Sequence, residues 1–470
     1  MMAGLQRRSL PLPTGAAFHL VGIGGAGMSA VATVLWEAGY AVTGSDLRSS
    51  PAIDALRAAG IPVAIGHAAA NVGGCSLLVR SSAVPDDNPE IQRAQHLGIP
   101  ILNHAEFLGL LSQAQRTLAV AGTSGKTTTT AMLSTIAIAA GLDPTILVGG
   151  VLPTLGSGAR LGSSDFLVVE ADEFERRFLQ LHPEIAVVTN VQPDHLDYYA
   201  NFPEIVDAFR AFVGRVPDEG WIVACGDDPV AAHLADDAAE NAITFGLTEA
   251  ADWRAVGLSK NDLGGHDFYV LAHETLVGHF RLRVPGRHNV LDALAATVAA
   301  GRVGVEFTTA AAALEQFTGV QRRLELKGEA RGVQVVDDYS HNPPKVRAAL
   351  AALREHHEGR IVCLFQPHTY HRLGSLFDEF AHAFLDADVV IVSEVYAPAG
   401  RRSATGDRTS EDLSRAIVGT IARYGGDLTA ATRAVAQSVR AGDVVVTMGA
   451  GDVTDAGPAI LRILAGGEDQ

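Results

Sequence analysis

Short runs of β-branched and apolar residues alternate along this chain with longer Ala-rich stretches, the pattern of strands followed by packed helices. Residues 18–22, 41–43, 77–81 and 100–102 read as strands, with helices at about 27–38 and 105–111. A second unit opens with a strand at Thr117 and continues through 166–169, 185–189 and Trp221–Cys225. Its end changes character. Between Asp252 and Pro285 polar and apolar residues alternate, notably at 268–271 and 279–284, as in antiparallel strands with one wet face. From about Gln321 the buried-strand pattern returns at 333–337, 360–365, Val389–Ser393 and Val444–Met448. This alternation predicts an α/β protein built on parallel sheets. No repeat of solenoid length interrupts it, and Ala-rich stretches such as 310–313 read as helix filler.

At 470 residues the chain has room for about three domains, each with its own core. A hydrophobic content of 47% with 19% charged residues describes a globular and not a disordered chain. The formal charge of −17 argues against a broad nucleic-acid footprint, but leaves room for a local positive pocket around a phosphorylated small molecule. Cys75, Cys225 and Cys363 lack CxxC spacing, so neither a zinc site nor a disulfide framework is suggested. Their apolar surroundings predict buried, inert thiols. Arg7 and Arg8 lack an apolar signal core behind them, and no run is long and apolar enough to span a bilayer. A cytoplasmic protein is expected, with neither nucleic acid nor membrane as partner.

Two glycine-rich turns follow strands and open helices. The more informative is Gly122-Thr123-Ser124-Gly125-Lys126-Thr127-Thr128-Thr129-Thr130, directly after the run Thr117 to Ala121. Glycines let the backbone approach an anion, and the free N–H groups of a helix start point at it. Lys126 supplies a mobile positive charge for outer phosphates, and the Thr127 hydroxyl is a candidate Mg²⁺ ligand. The first glycine of the general P-loop pattern falls on Val120. A plain strand–turn–helix junction with a surface lysine is the alternative, but strand, glycines, lysine and hydroxyls together favour a nucleoside-triphosphate enzyme. The second turn is Gly22-Ile23-Gly24-Gly25-Ala26-Gly27, a GxGxxG with Asp46 at the end of the next strand. Alone it is either a pyrophosphate cradle, with NAD as the default ligand, or a tight turn without one.

Further polar groups gather at the carboxyl ends of strands, where ligands bind in open α/β sheets. Phe166 to Val169 run into Glu170, a carboxylate placed to share a Mg²⁺ with the first loop. An acidic, solvated strand end is the alternative, and it suits Asp172 and Glu173 better than Glu170. After 185–189 comes Asn190-Val191-Gln192-Pro193-Asp194-His195-Leu196-Asp197, with an imidazole between two carboxylates. Pro285-Gly286-Arg287-His288-Asn289-Val290-Leu291-Asp292 is either a binding segment or a helix cap. Arg322-Arg323-Leu324-Glu325, Asp337-Asp338-Tyr339-Ser340-His341-Asn342-Pro343 and Phe365-Gln366-Pro367-His368-Thr369-Tyr370-His371-Arg372 complete the set. The last offers a cation and two imidazoles that suit a carboxylate.

Taken in order, these segments resemble the Mur ligase family of peptidoglycan synthesis over nearly the whole chain. GTSGKTTTT resembles the family's ATP loop, EADE and TNVQPDHLD its central metal and catalytic segments, and PGRHNVLDA its adenine-side helix. GIGGAGMSA, FTGVQRRLELKG and FQPHTYHR look most like the branch that joins L-alanine to the lactyl carboxylate of UDP-N-acetylmuramate. The resemblance implies an α/β, three-domain architecture. A Rossmann-like domain (1–113) would hold the UDP-substrate through Gly22, Gly24, Gly25, Gly27, Met28, Ser29 and Asp46, displacing the NAD reading. A central P-loop ATPase domain (114–320), with a parallel sheet plus a smaller antiparallel one, would precede a C-terminal Rossmann-like domain (321–470). ATP would bind through Gly122, Thr123, Ser124, Gly125, Lys126, Thr127 and Thr128, with Asn289, Arg323 and Asp338 as further contacts. Thr127, Glu170 and His195 are the implied Mg²⁺ ligands; Lys126, Glu170, His195, His341, His368 and Arg372 are the implied catalytic set. The expected assembly is a monomer or weak homodimer.

Three positions depart from the pattern of that branch. Ser124 stands where histidine is common, His341-Asn342-Pro343 where His-His-Pro is usual, and Thr369 where an arginine is usual. The last leaves strictness for L-alanine open, with His371 the candidate replacement. The rivals are a ligase that adds a whole tripeptide to the same nucleotide sugar, a folylpolyglutamate synthetase-like ligase and a nucleotide-binding regulator without catalysis. The segment Glu394 to Pro398 favours the alanine branch over the tripeptide one. The N-terminal glycines disfavour the second rival, and Lys126, Glu170 and His195 together disfavour the third.

Overall fold

A computed structural model describes residues 10, 12–196, 198–238, 241–397 and 408–467. Arg7, Arg8, Asp197 and Pro398 lie outside the described residues. The strands form three sheets. In the first, β1 (Ala17–Val21), β2 (Ala41–Asp46), β3 (Val63–Ile65), β4 (Leu77–Arg80) and β5 (Ile101–Asn103) lie in the order β3-β2-β1-β4-β5, all parallel. Its middle strand is buried from Phe18 to Val21, as its apolar sequence demands when helices cover both faces.

The second sheet comprises β6 (Arg116–Ala121), β7 (Thr145–Leu152), β8 (Ser157–Arg160), β9 (Phe166–Glu170), β10 (Ile185–Val188), β11 (Trp221–Cys225), β12 (Ala242–Gly246), β13 (Trp253–Lys260), β14 (His266–Ala272) and β15 (Thr275–Arg281). Their order is β15-β14-β13-β12-β11-β10-β6-β9-β7-β8. From β6 the chain first builds one flank and then, from β10, the other. The carboxyl end of β6 is thus the point where strand order reverses and ligands bind in such sheets.

The antiparallel strands expected between Asp252 and Pro285 are present, but they continue the parallel sheet through the β12–β13 pair as one sheet. The final strand starts at Thr275, earlier than expected, because His273 and Glu274 both take positive φ (43° and 68°). Two such residues make the tight turn that suits a hairpin. The β7–β8 hairpin has no clear alternation in sequence and was not anticipated.

In the third sheet β16 (Glu325–Ala330) pairs antiparallel with β17 (Val333–Asp338). The rest, β18 (Ile361–Phe365), β19 (Val389–Ser393), β20 (Ile421–Gly426) and β21 (Val444–Met448), are parallel, in the order β16-β17-β21-β18-β19-β20. Alternate residues feed two cores: Ile361, Cys363 and Phe365 join one, Val362 and Leu364 the other. By packing, the described residues of Met1–Leu258, Phe268–Phe280 and Leu291–Phe317 form one compact unit. Those of Ser259–Asp267, Arg281–Val290 and Thr318–Gln470 form a second.

Among the described residues no helix is long and apolar enough to cross a membrane. Cys225 and Cys363 are buried, and burial pushes the Cys225 thiol up to about 11. Cys75 departs from the expectation: it precedes β4 on a loop and is only partly buried.

Candidate active site

The loop after β6 is built by its neighbours. Gly122 and Gly125 take φ of 142° and 84°, which side chains resist. A Cβ on Gly122 would lie 1.9 Å from Thr189 Oγ1, and one on Gly125 2.5 Å from Asp292 Oδ1. Asn190, just past β10, accepts from the Ser124 N–H (2.9 Å) and donates to the Ser124 carbonyl (3.0 Å). Thr189 Oγ1 donates to that same carbonyl (2.5 Å). Thr123 Oγ1 accepts from the Gln192 N–H (2.9 Å). Ser124 is therefore held by its backbone, which makes its side chain immaterial to the shape of the loop. The helix Lys126–Ala139 begins with no side-chain cap from Gly125, the kind of helix start that suits an anion. Beneath it, Thr129 Oγ1 donates to Asp292 Oδ1 (3.0 Å), and Thr127 and Thr128 are both buried.

The carboxylates divide the work differently from the sequence expectation. Glu170, at the end of β9, accepts from Thr127 Oγ1 (3.0 Å) and from the Gly149 N–H (2.8 Å). Glu173, expected on a solvated strand end, is 2% exposed. Its Oε2 accepts from Lys126 Nζ at 2.6 Å, and Nζ also donates to the Gly122 carbonyl (2.6 Å). The chain turns inward here because Glu175 and Arg176, two residues further on, take left-handed conformations (φ 55° and 56°). Asp172, by contrast, stays partly exposed and meets Arg177.

Burial pushes the Glu173 carboxyl up to about 7, against the pull of Lys126. Burial alone would lower the Lys126 ammonium, but Glu173, Asp172 and Glu170 outweigh it and hold it above its usual value. His195 has φ 54° and places Nε2 3.7 Å from Glu173 Oε1, with its ring 4.7 Å from that of Phe174. Lys126, Thr127, Glu170 and His195 thus converge, with Glu173 as the member that sequence reasoning missed. The available signal was a buried loop lysine that needs a counter-charge.

In the first sheet the Gly24 N–H donates to Asp46 Oδ2 (2.9 Å), so Asp46 braces the turn itself. Gly27 leaves room for His104, whose Nε2 would lie 2.7 Å from a Cβ there; burial pulls the His104 imidazole down. Gly22 (φ 78°) opens the turn and Gly25 precedes the helix Ala26–Glu37, again without a side-chain cap. Met28 is buried in the core, and Ser29 Oγ donates to the Ala26 carbonyl (3.0 Å).

In the second compact unit Asp338 accepts from the Ser340 N–H (2.8 Å) and from the Leu324 N–H (2.9 Å). Arg323 lies over the Tyr339 ring at 5.3 Å. Asn289, in the first turn of the helix Arg287–Arg302, donates from Nδ2 to the Pro285 carbonyl (2.6 Å) and so ties the helix start to the turn before it. His341, His368 and Arg372 come together: the imidazoles are 5.9 Å apart, and Arg372 Nη1 is 3.3 Å from His368 Nδ1. His368 stacks on Tyr396 at 5.7 Å, a neighbour that the sequence did not single out. Thr369 has φ 65° and accepts from the Arg372 N–H (3.4 Å) as the cap of the helix Tyr370–Ser375. His371 is exposed.

A phosphate cradle at a sheet's switch point, with a lysine, a hydroxyl and two carboxylates beside it, defines a nucleotide-dependent enzyme. Residues 17–116 match the Mur ligase family, catalytic domain, 120–300 the Mur ligase middle domain, and 322–451 the Mur ligase, glutamate ligase domain. The chain belongs to the Mur ligase family.

Among its relatives, the UDP-N-acetylmuramate–L-alanine ligase of Anaeromyxobacter sp. is 44% identical over 96% of this chain and 98% of its own. That of Solibacter usitatus is 44% identical over 95% of each. Among solved structures, the UDP-N-acetylmuramate–alanine ligase of Thermotoga maritima superposes with a TM-score of 0.82 at 30% identity, covering 95% of this chain and 98% of that one. A murein peptide ligase from Psychrobacter arcticus gives 0.73 at 26% identity, covering 97% and 100%.

Proposed function

We propose that this chain joins L-alanine to the lactyl carboxylate of UDP-N-acetylmuramate, converting ATP to ADP and phosphate, as a cytoplasmic step of peptidoglycan precursor synthesis. The convergence of Lys126, Thr127 and Glu170 at the end of β6 is the observation that carries the reading. Full-length similarity to L-alanine ligases supports the substrate assignment. A carboxylate resists attack by an amine at neutral pH, so it is first phosphorylated to an acyl phosphate with a good leaving group. The loop N–H groups and Lys126 stabilise charge on the transferred phosphoryl group, Lys126 exchanging its bond to Glu173 for phosphate oxygens. Thr127 Oγ1 and Glu170 Oε1, two hard oxygen donors 3.0 Å apart, suit Mg²⁺. The ion would neutralise phosphate charge there, with His195 near a second such site. His368 and Arg372 orient the amino acid or the intermediate, and the amine proton passes to an imidazole, His195 or His341. The nucleotide contacts assigned to Asn289, Arg323 and Asp338 rest on the family resemblance.

Three domains, 1–113, 114–320 and 321–470, are the division we favour. It is supported by the three sheets and by the breaks between family matches at 116–120 and 300–322. A monomer or weak homodimer is the assigned state. A second reading, addition of a whole tripeptide to the same nucleotide sugar, keeps a place because Thr369 stands in the amino-acid segment where an arginine is usual. Phosphate release with ATP and UDP-N-acetylmuramate, measured with L-alanine, glycine, L-serine and the tripeptide in turn, separates the two. Release with L-alanine is expected. Release with the tripeptide alone moves the chain to the second reading, and release with none overturns the ligase assignment.

A further inference from the structure

Within the second compact unit, the loop between β13 and β14 meets the end of the helix Pro343–His356, and three metal-ligating side chains gather there. His266, Glu355 and His356 each offer one ligand atom, and these atoms lie within 4.8 Å of one another. His266 opens β14 and is 2% exposed, with Nε2 3.0 Å from Glu355 Oε1. The two imidazoles meet edge to face, 5.3 Å apart. Among the described residues, His266 Nδ1 and His356 Nε2 are both buried without a hydrogen-bond partner. Two orphaned ring nitrogens in one cluster are costly unless something binds them. None of the three residues takes part in the site described above.

We propose that His266, Glu355 and His356 form a site for a borderline transition-metal dication of the Zn²⁺ type, which fastens the β13–β14 loop to the end of the helix. Two imidazole nitrogens and one carboxylate oxygen are a donor set for such ions and a poor one for Mg²⁺ or Ca²⁺, which take oxygen. Tetrahedral ligands at about 2.0–2.1 Å from an ion stand roughly 3.4 Å apart, so the cluster closes by an ångström or so on binding. A fourth position remains for water.

The protonation states agree with this geometry. Burial holds the His356 imidazole below its usual value, which favours the neutral ring that a metal needs. Burial would raise Glu355, but its hydrogen bond to His266 outweighs this and keeps the carboxyl below its ordinary range. The opposing group is Lys260, exposed, whose Nζ donates to the Glu355 carbonyl (2.6 Å) and adds a positive charge nearby.

The test is Co²⁺ titration of the full, tag-free, metal-stripped protein, read by visible absorption, with Mg²⁺ as a competitor. One Co²⁺ is expected to bind with ligand-field bands that excess Mg²⁺ does not displace. Lys126→Met/Glu170→Gln should retain it, which separates this site from the nucleotide site. His356→Ala and Glu355→Gln should each weaken it at least about tenfold, the scale on which even outer partners of metal ligands act. Lys260→Met should tighten it, an opposite effect that loss of folding cannot mimic. The melting temperature of the wild-type chain, but not of His266→Gln/His356→Ala, should rise with Zn²⁺. Equal Co²⁺ uptake by wild type and His266→Gln/His356→Ala, or no stoichiometric uptake by wild type, overturns the proposal.

Discussion

Replacing Lys126 by methionine removes a cation 2.6 Å from a carboxylate that is 2% exposed, and the structure fixes what should follow. For catalysis, losing the cation that we assign to the outer phosphates should lower turnover by about a thousandfold or more, roughly 4 kcal/mol. For stability, stranding a buried charge costs about 3–5 kcal/mol unless the group neutralises itself. Glu173 can do so. Burial already pushes its carboxyl up to about 7 with Lys126 in place, and without the ammonium it rises further.

At pH 6 the variant therefore holds Glu173 as a neutral acid. The unfolded chain gives up that proton near the ordinary 4.5. Above that value the folded state binds the extra proton, and stability falls with rising pH by up to about 1.4 kcal/mol per unit until the folded pKa is passed. From pH 6 to pH 8, Lys126→Met should lose up to about 2.7 kcal/mol relative to Lys126→Met/Glu173→Gln, in which nothing titrates at this position. Unfolding followed at pH 6, 7 and 8, with phosphate release at each, makes the comparison. A single variant that melts no lower at pH 8 than the double one would refute the account of Glu173. Near-normal turnover in either would refute the role of Lys126.

Three further outcomes are expected. Glu90 is fully buried among His19, Ser45, Asn71 and the Ala68 N–H; burial would raise it, but these bonds hold it down to about 2. It should contribute up to about 3 kcal/mol above pH 4.5, lost as pH falls toward 2, so Glu90→Gln should lower neutral stability and flatten the acid limb of unfolding. Gly27→Ala would push a methyl group to 2.7 Å from His104 Nε2, and should raise KM for the UDP-sugar about tenfold or more while leaving KM for ATP unchanged. Thr369→Arg removes a helix cap and should cost about 1 kcal/mol of stability, while lowering KM for L-alanine; an unchanged amino-acid KM would dissociate this position from specificity.

The parallel strands were legible because burial on both faces leaves near-continuous apolar runs: Trp221–Cys225, Val389–Ser393 and Val444–Met448 match their predicted bounds. Strands whose faces are mixed, such as β8 and β16, carried no such signal, because pairing and not composition defines them. In the site, Lys126, Thr127 and Glu170 could be placed from strand ends alone. Glu173 could not, since its burial depends on the left-handed pair Glu175 and Arg176, a conformation that their residue types do not announce. The same holds for the brace that Asn190 gives Ser124, which requires knowing that β6 and β10 are neighbours.

That neighbouring has a further consequence. β6 and β10 run side by side with Ala121 opposite Val188, and each ends in one part of the machinery. The phosphate loop leaves the first, and the segment carrying Asn190 and His195 leaves the second. Sheet register thus works as a ruler that sets the spacing between the loop proposed to receive the triphosphate and the imidazole beside it. A slip of one residue would turn each side chain of a strand to the opposite face and dismantle both parts together. Active-site spacing in this chain is therefore inherited from backbone pairing in the core, where substitutions of ligand-contacting side chains cannot reach it.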